Sequence, residues 1–281
     1  MRTWFITGAS RGFGALLVER ALAKGDAVVA TARNPKTVTD RFGHHPSLLA
    51  VALDVTDEAQ AHAAAKAAVE RFGRIDILVN NAGYGLLGAV EEATAAEIEA
   101  IYRTNVFGLL AVTRAVLPHM RRQRAGRILN LSSIGGIAGY EGWGVYASTK
   151  YAVEGLTATL AIELKPLGIH VTAVEPGFFR TDFLDSTSLV TSETQIADYH
   201  ATSGAMRDFA EGANHAQPGD PTKLAAVLVD FVDTPNPPVR LPLGSDTVAK
   251  IEANLAEGRE SLEAWRKVGI STDFDTKEAA A

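Results

Sequence analysis

Tyr146 and Lys150 stand four residues apart in Tyr146-Ala147-Ser148-Thr149-Lys150. On a helix that spacing stacks the two side chains on one face, a turn apart. A free phenol titrates near pH ~10 and a lysine near ~10.4, so neither alone is matched to neutral chemistry. An ammonium beside the phenol favours phenolate and draws the tyrosine down, making the pair a proton donor or acceptor for an alcohol or ketone oxygen. Just upstream, Leu131-Ser132-Ser133-Ile134-Gly135-Gly136 supplies hydroxyls. Alone, Tyr-x-x-x-Lys also describes an ordinary solvated helix face, so the surroundings decide its meaning.

The elements that would carry these groups alternate regularly. Trp4-Phe5-Ile6 is an apolar run ending in Thr7-Gly8-Ala9-Ser10-Arg11-Gly12-Phe13-Gly14, and Leu16, Leu17, Val18, Ala21 and Leu22 follow at helical spacing. The glycines thus lie between a strand and a helix N-terminus, where unpaired N–H groups and the helix dipole suit a phosphate. The spacing departs from Gly-x-Gly-x-x-Gly: here it is Gly8, Gly12, Gly14. The second strand, within Asp26 to Ala32, ends in Ala32-Arg33 rather than in an acidic residue. Arg33 and Arg11, converging on a ribose, would favour a 2′-phosphate and hence NADP(H) over NAD(H).

Leu48 to Leu53 reads as a third strand. Asp54 closes it, and Thr56 or Asp57 caps the alanine-rich helix Glu58 to Phe72. Ile75 to Val79 is a fourth strand ending in Asn80-Asn81-Ala82-Gly83, where small residues allow close approach and the amides can tie strand ends together. Thr94 to His119 is one long helical segment, with Asn105 a poor helix former near its middle. Arg127 to Leu131 and Ile169 to Val174 are the fifth and sixth strands; between them the helix Val145 to Leu164 carries Tyr146 and Lys150. Every polar cluster follows a strand, so all fall on one edge of a parallel sheet covered by helices on both faces: a single-domain, doubly wound Rossmann-type α/β fold of about seven strands over 1–281.

Composition agrees. With 281 residues, 47% of them hydrophobic, the chain can bury one large core, and a net charge of −6 makes no basic footprint for nucleic acid. There is no cysteine, hence no disulfide, thiol nucleophile or thiolate metal ligand, and the seven histidines are scattered, so no metal site is expected. The short run into the first glycine turn leaves no room for a signal peptide, and no apolar stretch would span a bilayer. The expectation is a cytoplasmic protein without membrane contact.

With these motifs in place the chain resembles the short-chain dehydrogenase/reductase family over about residues 3 to 181. The matches are Thr7-Gly8-x-x-x-Gly12-x-Gly14, Asp54, Asn80-Asn81-Ala82-Gly83, Asn105, Ser133, Tyr146-x-x-x-Lys150, Pro176-Gly177 and Thr181. The resemblance implies a catalytic set of Asn105, Ser133, Tyr146 and Lys150. Tyr146 would be general acid in ketone reduction and base in alcohol oxidation. Ser133 would hold the substrate oxygen, and Lys150 would lower the Tyr146 pKa and bind the nicotinamide ribose. Asn105 would bend its helix and anchor a relay water. Gly8, Ser10, Arg11, Phe13, Arg33, Asp54, Val55, Asn81, Gly83, Pro176, Phe179 and Thr181 would complete the cofactor site, with Asp54 on the adenine amino group and Thr181 and the Phe179 backbone on the carboxamide. A homodimer or homotetramer through the helices around Asn105 and Tyr146 is implied too.

Beyond the core (1–181), residues 182–220 are polar and weakly periodic, and the resemblance gives them a lid role. Ile134, Ile137, Tyr140, Trp143, Phe178, Phe179, Phe183 and Leu184 are either pocket or core. As pocket they suggest a lipophilic or aryl ketone or secondary alcohol, with Arg180 the one candidate for an acidic group. In 221–281 a helix over Pro221 to Phe231, an edge strand over Val239 to Leu243 and a helix over Thr247 to Val268 are expected. The tail Gly269 to Phe274 would fold over the active-site mouth or a partner. Glycine turn, Ala32-Arg33 and tail together look most like bacterial relatives of 17β-hydroxysteroid dehydrogenases. Two other readings stay open: an NADPH-binding sensor without turnover, and a non-redox isomerase or lyase using the same Tyr/Lys pair.

Overall fold

The structure, a computed structural model, describes residues 1–274. Chain order is β1 (Thr3–Ile6), α1 (Gly12–Ala23), β2 (Ala27–Ala32), α2 (Lys36–Phe42), β3 (Leu48–Ala52), α3 (Glu58–Phe72), β4 (Ile77–Asn80), β5 (Gly85–Leu87), α4 (Ala95–Tyr102), α5 (Leu109–Gln123), β6 (Gly126–Leu131), α6 (Gly144–Leu164), β7 (Ile169–Pro176), β8 (Leu189–Thr191), α7 (Ala205–Ala213), α8 (Pro221–Phe231), β9 (Arg240–Leu243) and α9 (Ser245–Ile270). Seven strands form one sheet in the order β3-β2-β1-β4-β6-β7-β9, every pair parallel. The order reverses between β1 and β4, which is where ligands meet such sheets.

Strand periodicity explains the two cores. Along β1, Trp4 and Ile6 face one layer with Leu17, Val18, Leu224 and Leu228, while Phe5 faces the other with Ala64, Val112 and Val116. Helix ends follow local chemistry. Asp57, not Thr56, caps α3, its carboxylate accepting from the N–H groups of Ala59 and Gln60, and Gly73 ends that helix in the left-handed region at φ 81°. Asp220 and Pro221 open α8 in the same manner. The N-terminus of α1 has no side-chain cap.

Four departures from the sequence expectations matter. The helix α2 has only seven residues, too few for a periodic signal. The long segment from Thr94 is broken by a wide π-type turn over Arg103–Gly108, with Asn105 inside it. Residues 182–220 are built as β8, short helical turns and α7 rather than as an irregular connection, and β8 pairs in parallel with β5. The tail does not cover the site mouth: α9 runs on to Ile270, and Phe274 is exposed.

Candidate active site

A buried amide chain sets the register of the elements beneath the site. Asn80 Nδ2 donates to Thr113 Oγ1 and to Asn130 Oδ1, both at 2.9 Å, and Asn130 Nδ2 donates to Thr157 Oγ1 at 2.9 Å. This joins β4, β6, α5 and α6. Thr7 and Asn81 tie β1 to the end of β4: Thr7 Oγ1 accepts from the N–H groups of Asn81 and Ala82, and Asn81 Nδ2 donates to the carbonyls of Thr7 (2.8 Å) and Gly8 (3.0 Å). Asn81 was expected to hold the cofactor. Its amide donors hold the glycine turn in place.

Above these ties lies a cavity of about 840 Å³, reaching from Arg33 and Thr37 at one end to Phe183 and Leu189 at the other. Every residue expected at the cofactor lines it, Asn81 through its place in the wall. Three features fit a dinucleotide phosphate. The uncapped α1 terminus faces the cavity through Gly12 and Phe13. Gly12 has φ 54°, and a Cβ there would meet nothing within 4 Å. A Cβ on Gly14 would stand 2.3 Å from the Gly8 carbonyl, so only glycine lets the turn fold this closely. Asp54 is fixed in the wall, its Oδ1 accepting from Thr56 N–H (2.9 Å) and Oγ1 (2.7 Å). The expected pair of arginines is split: Arg11 donates to the Thr187 carbonyl of the 182–220 segment, while exposed Arg33 keeps to the far end beside Asn34 and Thr37.

At the other end, β6 delivers Ser133 and α6 delivers Tyr146 and Lys150 to one wall. Ser133 Oγ accepts from the Gly135 N–H at 3.1 Å, which leaves its proton to donate forward, and it stands close enough to the Tyr146 phenol to favour its ionised form. Tyr146 is packed edge-on by Trp143 (centroids 5.4 Å) and tilted against Phe183 (5.6 Å). Lys150 Nζ donates to the Leu131 carbonyl at 2.7 Å and lies 5.7 Å from the Tyr146 ring centroid.

This alters one expectation. Lys150 does not lower the Tyr146 pKa in this geometry; burial pushes the phenol up to about 12, with Ser133 pulling the other way. Burial also drives Lys150 down to about 8, against the charge of Glu154. Both groups are removed from water, so the charged form of each is disfavoured. The result is a neutral phenol at working pH, suited to give a proton to a carbonyl oxygen.

Asn105 sits behind this wall rather than in it. Its Nδ2 donates to the Tyr84 carbonyl (2.9 Å) and Thr149 Oγ1 (3.2 Å), and its Oδ1 accepts from the Tyr84 N–H (3.1 Å). The π-type turn is what swings the amide inward. Gly83 fills the gap between: a Cβ there would stand 3.0 Å from Asn105 Oδ1 and 3.9 Å from Lys150 Nζ.

The substrate side is mostly as read. Ile134, Tyr140, Trp143, Phe178, Phe179, Phe183 and Leu184 line the cavity; Ile137 does not. Arg180 is directed to the Gln217 carbonyl and does not line the cavity. Tyr84, Leu189 and Val190 line it as well and were missed. Tyr84 follows the Asn80–Gly83 motif and was within reach of inspection; Leu189 and Val190 enter only because β8 pairs with β5.

Residues 2–192 match the model of the short chain dehydrogenase family. The chain belongs to this family. It is 38% identical over 274 residues to oxidoreductase BOA17 of Botryotinia fuckeliana, covering 96% of this chain and 99% of that one. It is 37% identical over 240 residues to a 3-ketodihydrosphingosine reductase of Bacteroides thetaiotaomicron, covering 85% and 86%. A short-chain dehydrogenase structure from Streptomyces avermitilis superposes with a TM-score of 0.89 at 39% identity, covering 97% of this chain and all of that one (100%). Solved relatives carry either nicotinamide cofactor. ElxO has NADP bound (TM-score 0.73, 28% identity, 88% and 99% covered), and a Burkholderia phymatum relative has NAD (0.78, 25%, 94% and 94%). This protein is therefore an oxidoreductase of the short-chain dehydrogenase type with a nicotinamide cofactor. No helix among the described residues is long and apolar enough to cross a membrane.

Proposed function

We propose that the protein uses NADP(H) to reduce a lipophilic or aryl ketone to a secondary alcohol, or the reverse, with Tyr146 as the proton donor. The observation that carries this reading is one wall bearing Ser133, Tyr146 and Lys150 under an aromatic roof, continuous with a glycine turn built for phosphate. The cofactor supplies the hydride when bound. Ser133 donates to the substrate oxygen as negative charge grows on it, and Tyr146 delivers the proton. Lys150 holds ribose hydroxyls, and Asn105 keeps an oxygen lone pair for a relay water behind Gly83. Thr181 and the Phe179 backbone take the carboxamide. Trp143, Phe183 and Leu184 exclude water from the reacting oxygen. The apolar lining supports a lipophilic substrate, as does the similarity to a protein named as a 3-ketodihydrosphingosine reductase. The test is cofactor oxidation, followed by nicotinamide absorbance, across ketones and aldehydes of graded hydrophobicity. Turnover confined to small polar carbonyls rejects the substrate class, and isomerised product without cofactor change rejects hydride transfer.

Arg33, with Asn34 and Thr37 beside it, supports the preference for NADP(H). Arg33→Ala is expected to weaken NADPH binding about tenfold and leave NADH binding almost unchanged, since a guanidinium fork on phosphate is a charge-assisted bond. Equal affinities for both cofactors in wild type and variant, measured by titration calorimetry, discard the preference.

Self-association through the helices around Asn105 and Tyr146 is the assembly we favour, as a homodimer or homotetramer. Phe107, Tyr151 and Ile162 are 59%, 49% and 76% exposed on that surface, and Tyr151 and Ile162 share one face of α6. Phe107→Asp with Ile162→Asp is expected to halve the mass seen by light scattering. A mass equal to wild type rules out that surface.

A further inference from the structure

Behind the catalytic wall, one turn past Lys150 on the same side of α6, two carboxylates meet. Glu154 comes from α6 and Glu175 from β7, and their side chains are 14% and 0% exposed. The two carboxyls converge on the same guanidinium nitrogen. Arg240, entering from β9, places Nε 2.5 Å from Glu175 Oε1 and 3.7 Å from Glu154 Oε2. One guanidinium therefore serves two carboxylates, and it sits nearer Glu175. Glu154 Oε1, Glu175 Oε2 and Ser132 Oγ have no well-formed hydrogen bond within the protein. Ionised carboxylates are acceptors only, so two of them buried in contact cannot satisfy each other. A proton on Glu154 removes that conflict.

The cluster is packed directly against the catalytic loop. A Cβ on Gly136 would stand 2.5 Å from Ser132 Oγ, 3.2 Å from Glu154 Cγ and 3.2 Å from the Lys150 carbonyl. The turn that follows Ser133 thus rests on Ser132 and Glu154, with no space for a larger residue.

We propose that Glu154, crowded against Glu175, carries a proton in this buried cluster and that the loss of that proton sets the charge of Lys150 from behind, making Glu154 a positioning residue for the reaction. The charged and titratable groups facing the pair are Lys150 on α6 and Arg240 on β9. Burial first, then the charge of Glu175, push Glu154 up to about 7, against Ser132 and Arg240. The charge of Glu154 in turn raises Lys150, which burial holds near 8. As pH rises through neutrality, Glu154 gives up its proton, and the new negative charge holds the ammonium on Lys150 where burial would discharge it. The kinetic part of this inference rests on the carbonyl-reductase reading; the electrostatic part does not.

Two measurements without substrate test it. In wild-type protein labelled with carbon-13 at the glutamate carboxyls, one resonance, absent from Glu154→Gln, is expected to titrate near neutral pH. If the Glu154 resonance titrates in the ordinary carboxylate range, Glu154 holds no such proton and the proposal falls. Acetylation of Lys150 by acetic anhydride, followed by mass spectrometry against pH, is expected to reach its midpoint about one unit lower in Glu154→Gln than in wild type, with Glu154→Asp near wild type. Coincident midpoints for wild type and Glu154→Gln overturn the coupling. In turnover, the alkaline limb of kcat is expected to move down by the same amount. A protein that shows both shifts yet reduces no ketone keeps the charged pair and loses the carbonyl-reductase reading.

Discussion

Tyr146→Phe is expected to lower kcat for ketone reduction about 10³-fold, with KM for the ketone and affinity for NADPH little changed. The substitution removes one oxygen from a ring held by Trp143 and Phe183, and those contacts belong to the ring rather than to the hydroxyl. Fold and cavity are therefore retained, and only the proton donor is lost. Ser133 still donates to the substrate oxygen, which leaves residual activity above the uncatalysed rate. Because burial holds the phenol near 12, its proton stays on through the neutral range, and reduction by wild type should not decline from phenol ionisation there. Stopped-flow absorbance of the cofactor separates hydride transfer from release. A variant with wild-type kcat would assign the proton to another group.

Glu92→Ala is expected to be the most damaging change outside the catalytic wall, costing about 3 kcal/mol because it strands a buried charge. The Glu92 side chain is 0% exposed and Arg207, on α7, is 14% exposed, with 2.8 Å between Oε2 and Nη1. The same carboxylate accepts from the N–H groups of Ala89 (2.7 Å) and Ile196 (2.9 Å) and from Ser203 Oγ (3.1 Å). One side chain from the connection between β5 and α4 thereby holds three parts of the 182–220 segment over the site. Its loss should lower the melting temperature by several degrees, hasten proteolysis within residues 192–213 and raise KM for the ketone. Arg207, foremost, lowers the Glu92 pKa from 4.5 to about 2. A depressed carboxyl stabilises the fold fully above its ordinary value, and the contribution fades as pH falls from 4.5 through about 2. Wild type should thus lose its advantage over Glu92→Gln across that acid window. Identical melting and proteolysis of wild type and Glu92→Ala at neutral pH would show that the segment is held by other contacts.

How much of this was legible beforehand depends on distance along the chain. Tyr146 and Lys150 declare themselves because helical spacing puts residues four apart on one face whatever the tertiary fold does. The strands, the glycine turn before α1 and the parallel order follow from period-two and period-3.6 hydrophobicity, which acts locally. Asn105 signals its bend because an amide in mid-helix competes with the backbone.

What tertiary structure alone decided is whatever joins segments far apart. Arg11 was legible as a residue of the phosphate turn, yet its guanidinium is claimed by the Thr187 carbonyl, 176 residues on. Asn81 is spent on Thr7 and Gly8, and Arg180 on Gln217. Glu92 meets Arg207 across 115 positions with no pattern in either neighbourhood to announce it. The charge state of the Tyr146–Lys150 pair was decided there too: a phenol beside a lysine in sequence implies a lowered pKa, but burial sends the phenol up to about 12, with Ser133 alone pulling it down. Residue type and spacing determine which groups come within reach, because backbone geometry is short-ranged. Desolvation and the choice of hydrogen-bond partner depend on everything packed around them.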